Sequence, residues 1–251
     1  MITIEHLHKS FGKNHVLQGV DLTLPGPGIV AVLGPNGSGK TTLIKSILGM
    51  VIPDAGRIEV LGQPVARSWS YRNQVAYLPQ IARFPENIRV QELIRMVKDL
   101  RGHTEIDHSL VAWFGLQPYL DKKLGNLSGG TRQKVNLVLA FMYDCPIYIL
   151  DEPTAGLDPV SLIKLKKLID EKRQAGKLIL ITTHVMSLVE ELADEIIYLL
   201  EGRIHFKGSP KALLVRYDAD QVETAIAALL QQSQATNGNG KPHLEPKTTS
   251  R

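Results

Sequence analysis

Apolar positions fall into short blocks whose period changes along the chain. Near the start, Ile2-Thr3-Ile4 and Val20-Asp21-Leu22-Thr23-Leu24 alternate apolar with polar, as strands with one wet face do. Pro25-Gly26-Pro27-Gly28 marks a turn. Residues 29–33 are then apolar without a break up to Gly34, which predicts a strand buried on both faces. Leu43, Ile44, Ile47 and Leu48 recur at helical spacing; Gly49 is expected to weaken that helix, and Pro53-Asp54-Ala55-Gly56 to turn the chain. Strands are predicted at 57–61 and 75–78.

From about 81 to 143 the texture becomes helical. Leu93, Ile94, Val97 and Leu100 share one face of a helix over 90–100, residues 107–114 are similar, and Val135, Val138, Leu139 and Met142 mark a third helix. This stretch reads as a helical subdomain inserted in an α/β core. The core resumes at 147–150 and continues with a Lys-rich helix over 160–175, a strand at 178–182, a short helix at 186–193 and strands at 196–200 and 204–206. A C-terminal helix is predicted over 218–233. The segment 234–251, opening on Gln234 and holding Asn237-Gly238-Asn239-Gly240, has almost nothing apolar and is expected to be a disordered tail.

Composition narrows the class. A chain of 251 residues, 43% hydrophobic and 22% charged, has enough apolar surface to offset the entropy of folding, so disorder is excluded for most of it. No apolar run approaches the ~20 residues of a membrane span, and Met1-Ile2-Thr3-Ile4-Glu5 lacks the basic start and long apolar stretch of a secretory signal. The single cysteine, Cys145, forms no internal disulfide and suits a reducing cytoplasm. The formal charge is +4, of which Lys241, Lys247 and Arg251 against Glu245 supply +2, so the folded body is close to neutral.

The chemistry starts at Gly34-Pro35-Asn36-Gly37-Ser38-Gly39-Lys40-Thr41, which matches the phosphate-loop pattern between a buried strand and a helix. Glycines let backbone N–H groups approach phosphate oxygens, Lys40 reaches the β- and γ-phosphates as a point charge, and the Thr41 hydroxyl is placed to ligate Mg²⁺ at a helix N-terminus. The strand at 147–150 ends in Asp151-Glu152. Strand alternation points the two carboxylates differently, Asp151 toward a Mg²⁺ shell and Glu152 toward an attacking water. Taken alone, that pair is equally a solvated strand end. In Leu127-Ser128-Gly129-Gly130, Ser128 is an N-cap and the glycines open a helix start to an anion, or simply begin a capped helix. Gln80 and His184 each follow a predicted strand. If the strands are parallel, their ends converge on one sheet edge, where ligands of α/β proteins bind.

In this order, the phosphate loop, Gln80, the Ser-Gly-Gly element, Asp151-Glu152 and His184 resemble the ATP-binding cassette family over residues 1–217. The Ser-Gly-Gly element is the most specific part. The resemblance implies an α/β fold, with a phosphate-loop ATPase core, an antiparallel β subdomain and the α-helical insertion. It implies an ATPase acting as a head-to-tail homodimer. Each ATP lies between Gly34, Pro35, Asn36, Gly37, Ser38, Gly39, Lys40, Thr41 and Thr42 of one copy and Ser128, Gly129 and Gly130 of the other. It also implies that Phe11 stacks on adenine, that Glu152, His184 and Gln80 serve catalysis, and that Thr41, Gln80 and Asp151 hold Mg²⁺. Gln80 links metal and water to the transmembrane partner, and Asp158 belongs to a loop crossing the dimer interface. Integral membrane permease subunits are the other partners implied, with residues 81–87 as docking surface or ordinary loop, and the location is the cytoplasmic face of the membrane. The texture is similar to transporters of the two-component export type and, more distantly, to the ATPase serving copper-site maturation of nitrous oxide reductase. His6 and His8 share a strand face without a Cys or Met partner and read as solvated.

Four positions depart from the family pattern: Phe11 for tyrosine, Thr131 for glutamine, and Ala155-Gly156 for Ser-Ala. None removes a group assigned to the chemical step. A nucleic-acid clamp on the same cassette is the competing class, but the chain has neither long coiled coils nor a second cassette, so no nucleic-acid partner is expected. A phosphoryl-transfer kinase is disfavoured by Glu152 beside Asp151, which argues for water as acceptor.

Overall fold

The computed structural model describes residues 1–102 and 106–238. The strands are β1 (Ile2–Phe11), β2 (Asn14–Leu24), β3 (Gly28–Leu33), β4 (Ala55–Val60), β5 (Gln63–Pro64), β6 (Val75–Leu78), β7 (Ile147–Asp151), β8 (Leu178–Thr182), β9 (Glu195–Leu200) and β10 (Arg203–Gly208). The α-helices are α1 (Lys40–Ile47), α2 (Val90–Leu100), α3 (Ser109–Trp113), α4 (Gly129–Phe141), α5 (Pro159–Gln174), α6 (Met186–Leu192), α7 (Pro210–Tyr217) and α8 (Val222–Gly238). Among the described residues no helix is long and apolar enough to cross a membrane.

The main sheet runs β10-β9-β3-β8-β7-β6, parallel except for β10 at one edge. Its central strands are buried on both faces, as their unbroken apolar runs require. Along β7, Ile147 and Ile149 pack toward α1 and the second sheet, while Tyr148 and Leu150 pack toward α4 and α5. Strand β8 repeats the alternation, Leu178 and Leu180 on the first side and Ile179 and Ile181 on the other. The second sheet, β2-β1-β4-β5, is antiparallel and closes over α1. This is the α/β fold expected, a phosphate-loop ATPase core with an antiparallel β subdomain and a helical subdomain.

The structure differs from these expectations in four places. Strands β1 and β2 run far beyond the alternating segments, because register shifts after Ile4 interrupt the period. His6 sits in that irregular stretch at φ +47, its backbone N–H bonded to Asp21 (2.8 Å), while His8 lies against Gly19. Gly49 does not weaken α1 but ends it: at φ +64 it lies past the C-cap, and its N–H reaches the Ser46 carbonyl (3.0 Å). Helix α7 was not foreseen, since it buries one residue, Leu213, and owes its start to the Ser209 cap and Pro210. Helix α8 carries helical backbone through residues 234–238, where a tail was expected; the rest of that segment lies outside the described residues.

One contact fixes how β3 enters the sheet. The Asp194 carboxylate accepts the Ile29 N–H (2.8 Å), the Asp194 N–H returns to the Ile29 carbonyl (2.8 Å), and Arg173 approaches the other carboxylate oxygen (3.3 Å). Asp194→Ala leaves the N–H of fully buried Ile29 without its partner and is expected to cost about 1–3 kcal/mol, read from urea unfolding. An unchanged midpoint would show that the clamp contributes nothing.

Candidate functional site

Strands β3, β6, β7 and β8 are parallel and end at one sheet edge, as the sequence placed them. The turns beyond them carry the phosphate loop, Gln80, Asp151-Glu152 and His184. A cleft of about 230 Å³ at that edge is lined by Asn36, Gly37, Gly39, Lys40, Thr41, Thr42, Gln80, Asp151, Glu152 and His184, with Asn14 and Val16 of β2 as its outer wall.

The phosphate loop is held from behind by a distant part of the chain. Gly34 adopts φ +147, and a Cβ there would lie 2.0 Å from the Leu199 carbonyl oxygen of β9. The turn joining β9 to β10 adds a second hold: the Gly202 N–H donates to the Ser38 carbonyl (3.1 Å), and the Gly202 carbonyl accepts from the Gln18 N–H (2.9 Å). Gly39 caps α1 in a left-handed conformation. The Lys40 ammonium donates to the Gly34 and Pro35 carbonyls (2.7 and 3.0 Å), which bends the side chain over the loop. Burial pulls its pKa down, while the Glu152 and Asp151 charges oppose that shift. Ser38 Oγ is buried with no hydrogen-bond partner among the described residues, an orphaned hydroxyl within an anion-binding loop.

Asp151 is the last residue of β7 and pairs in register with Thr182 of β8, whose hydroxyl donates to Asp151 Oδ1. Glu152 leaves the strand in a left-handed conformation, φ +50, which is uncommon for a residue with a side chain. Its N–H is fixed by the Thr182 carbonyl (3.0 Å) and hydroxyl (3.2 Å). Both carboxylates line the same cleft. Glu152 is 14% exposed, and its carboxylate lies 3.2 Å from His184 Nε2. Burial raises the Glu152 pKa above its ordinary value, more than His184 and Lys40 lower it. Tyr77, on neighbouring β6, is pushed up to about 12 by burial and by the Asp151 charge.

Thr41 supplies a hydroxyl, Gln80 an amide and Asp151 a carboxylate to one cleft, a set of hard oxygen donors of the kind Mg²⁺ takes. With the orphaned Ser38 hydroxyl and a loop in which Gly34 has no room for a Cβ, the residues fit a magnesium-bound triphosphate.

Phe11 and Ser128-Gly129-Gly130 do not line this cleft. Phe11 is exposed at the end of β1, paired with the cleft residue Asn14, and the Lys9 ammonium lies 5.3 Å from its ring centroid. Ser128 caps α4 by accepting the Thr131 N–H (3.2 Å), and the Thr131 hydroxyl, which replaces the family's glutamine, lies 2.9 Å from the Ser128 hydroxyl. Gly130 packs on the next loop, where a Cβ would lie 2.7 Å from the Gly156 carbonyl oxygen. Asp158 caps α5 through the Ser161 N–H (2.8 Å) and hydroxyl (2.9 Å), and pairs with Lys134 of α4 (2.7 Å). Lys134, then Ser161, hold its carboxyl well below the usual carboxylate range. The starts of α4 and α5 therefore form one tied unit.

Sequence reasoning missed Thr182, Asn14 and Gln133. The signal for Thr182 was a hydroxyl closing an otherwise apolar strand. Gln133 Nε2 donates to the carbonyl of Pro153, the residue after Glu152 (3.2 Å), a contact that no local sequence signal marks.

Comparison with known proteins agrees with this geometry. The family model described as ABC transporter matches residues 17–155, and a second, for an AAA domain, matches residues 121–190. The Nod factor export ATP-binding protein I of Rhizobium sp. (strain N33) is 35% identical over 227 residues, 88% of this chain and 75% of that protein. A solved ATP-binding subunit of an ABC transporter superposes with a TM-score of 0.86 at 29% identity, over 92% of this chain and 99% of its own. The fold is shared by the ATP-binding cassette MJ0796, solved as a dimer bound to ADP and Pi, with a TM-score of 0.75 at 20% identity over 83% of this chain and 98% of that one.

Proposed function

Because the chain belongs to the ABC transporter family and is an ATP-hydrolysing subunit of that kind, we propose that it works as a homodimer driving a substrate through separate integral membrane permease subunits. The observation carrying this reading is the single cleft that gathers Lys40, Thr41, Gln80, Asp151, Glu152 and His184 but not Ser128, Gly129 or Gly130. A helix start with two exposed residues, Ser128 and Gly129, suits an anion held by another copy. A head-to-tail pair supplies each cleft with the partner copy's helix start, and Asp158, tied to α4 through Lys134, couples that surface to the loop after Glu152. The MJ0796 cassette, of the same fold, is itself a dimer.

In the proposed reaction Lys40 and the loop N–H groups hold the β- and γ-phosphates. Glu152 takes a proton from water as its oxygen attacks the γ-phosphorus, the bond to the β-phosphate oxygen breaks, and ADP and phosphate leave. His184 Nε2, beside the Glu152 carboxylate, orients that base and meets the γ-phosphate. Thr41, Gln80 and Asp151 would hold Mg²⁺, which when bound neutralises charge on the phosphate oxygens. Phe11 offers an exposed aromatic face for adenine at the hairpin beside the cleft. The Rhizobium relative is named for export, which supports an exporter attached at the cytoplasmic face of the membrane.

The reading is tested by ATP hydrolysis of the purified chain alone, with DNA, and with any multi-span membrane protein that co-purifies with it from its own membranes. Stimulation by the membrane protein is expected. Stimulation by DNA and not by that protein would overturn the transporter assignment in favour of a nucleic-acid clamp.

A further inference from the structure

Two threonines stand before His184: Thr182 ends β8 and Thr183 follows it, both almost wholly buried. Buried hydroxyls need partners, and these two serve different ones. Thr183 Oγ1 accepts the Val185 N–H (3.0 Å), a short side-chain turn that spans His184. Thr182 Oγ1 has one proton, which it donates to Asp151 Oδ1, and with a lone pair it accepts the Glu152 N–H (3.2 Å). The Asp151 carboxylate, 4% exposed, has no other hydrogen-bond donor among the described residues. The Glu152 N–H keeps a second acceptor, the Thr182 carbonyl (3.0 Å).

The sheet fixes where this hydroxyl sits. Thr182 pairs in register with Asp151 on β7 and with Val32 on β3, the strand that leads into the phosphate loop. Its β-branched side chain has few rotamers. A residue laddered on both sides cannot shift without breaking two sets of backbone hydrogen bonds. The oxygen is therefore a stationary point between Asp151, its strand partner, and Glu152, which sits on a left-handed turn.

Resting on the magnesium site proposed for Thr41, Gln80 and Asp151, we propose that Thr182 is a positioning residue for hydrolysis. Its hydroxyl orients the Asp151 carboxylate for the metal and sets the turn from which Glu152 reaches water. By holding Oδ1, it fixes the rotation of the carboxylate and leaves the remaining lone pairs to the cleft. By accepting the Glu152 N–H, it ties the base to the same fixed oxygen.

The experiment titrates Mn²⁺ into the full chain with ADP present, free metal being read by electron paramagnetic resonance, and measures ATP turnover at saturating Mg²⁺. Thr182→Val keeps the β-branched shape and removes the hydroxyl. Its manganese affinity falls about 10–100-fold, the usual loss when a group that orients a metal ligand is removed. Its turnover stays below wild type even at saturating metal, because the Glu152 N–H has lost an acceptor. Thr182→Ala loses manganese affinity in the same way and replaces the valine chain should that chain not fold. Thr182→Ser restores both properties. Thr183→Val, which removes the hydrogen bond across His184, keeps wild-type manganese affinity. A threonine that only fills the sheet would leave manganese affinity unchanged in the valine or alanine chain, would not be rescued by serine, or would lose no more than Thr183→Val does. Any of these results overturns the inference and leaves the magnesium site intact. Failure of the wild-type chain with ADP to bind manganese removes both.

Discussion

Glu152→Gln retains ATP and loses turnover by about 10²–10⁴-fold, the range a positioned general base contributes. The substitution keeps size, hydrogen bonding and the left-handed backbone, which Thr182 fixes through main-chain and hydroxyl contacts to the Glu152 N–H. The capacity to take a proton is lost, together with the negative charge that faces Lys40. Phosphate release under saturating ATP measures turnover, and titration with a fluorescent nucleotide measures retention. Hydrolysis at the wild-type rate would remove Glu152 from the chemical step. The pH dependence adds an independent check. Burial raises the Glu152 pKa, so the base is protonated, and wild-type turnover declines, at a higher pH than an ordinary carboxylate would set. The folded state binds that proton more tightly than the unfolded chain does. Its contribution to stability is therefore present below the ordinary carboxylate pKa and lost as pH rises through the elevated folded value. The glutamine variant has no such loss, so its stability relative to the wild type improves from acid toward neutral pH.

Gly34→Ala abolishes nucleotide binding and costs about 3 kcal/mol or more of folding stability, because two penalties coincide. The backbone is left-handed at φ +147, and the added Cβ lies 2.0 Å from the Leu199 carbonyl oxygen, a backbone atom with no rotamer to escape into. Gly37→Ala is the control. It shares a positive φ of +81 but meets nothing within 4 Å, so it pays only the conformational cost of about 1 kcal/mol. Urea unfolding and nucleotide titration of both variants separate steric collapse of the loop from loss of flexibility. Equal behaviour of the two would show that packing on β9 does not shape the loop.

What the sequence made legible follows from where information is local. Strands β6 and β8 and helix α2 match their predicted spans, since each is a compact apolar block bounded by turn residues or charge. The phosphate loop and the carboxylate pair announce themselves because their chemistry restricts residue type over a few adjacent positions. Parallel strands then explain why Gln80 and His184, distant in sequence, share a cleft with Lys40. The illegible parts depend on neighbours that no local pattern names. Thr182 matters through its register partner Asp151, and Gln133 through the Pro153 carbonyl it happens to meet. The left-handed turn at Glu152 lies outside any alternation argument, because contacts to Thr182 on the neighbouring strand hold its N–H. Helix α7 escaped notice because a cap and a proline start it where periodicity is too short to register.

The way β9 and its hairpin turn brace the phosphate loop has an architectural cost. Every recognisable motif of this ATPase lies before residue 190, yet the loop that embraces the triphosphate leans on Leu199 and Gly202. A gene shortened just past His184 would preserve the whole alphabet of the enzyme and lose the wall against which its first word is spelled.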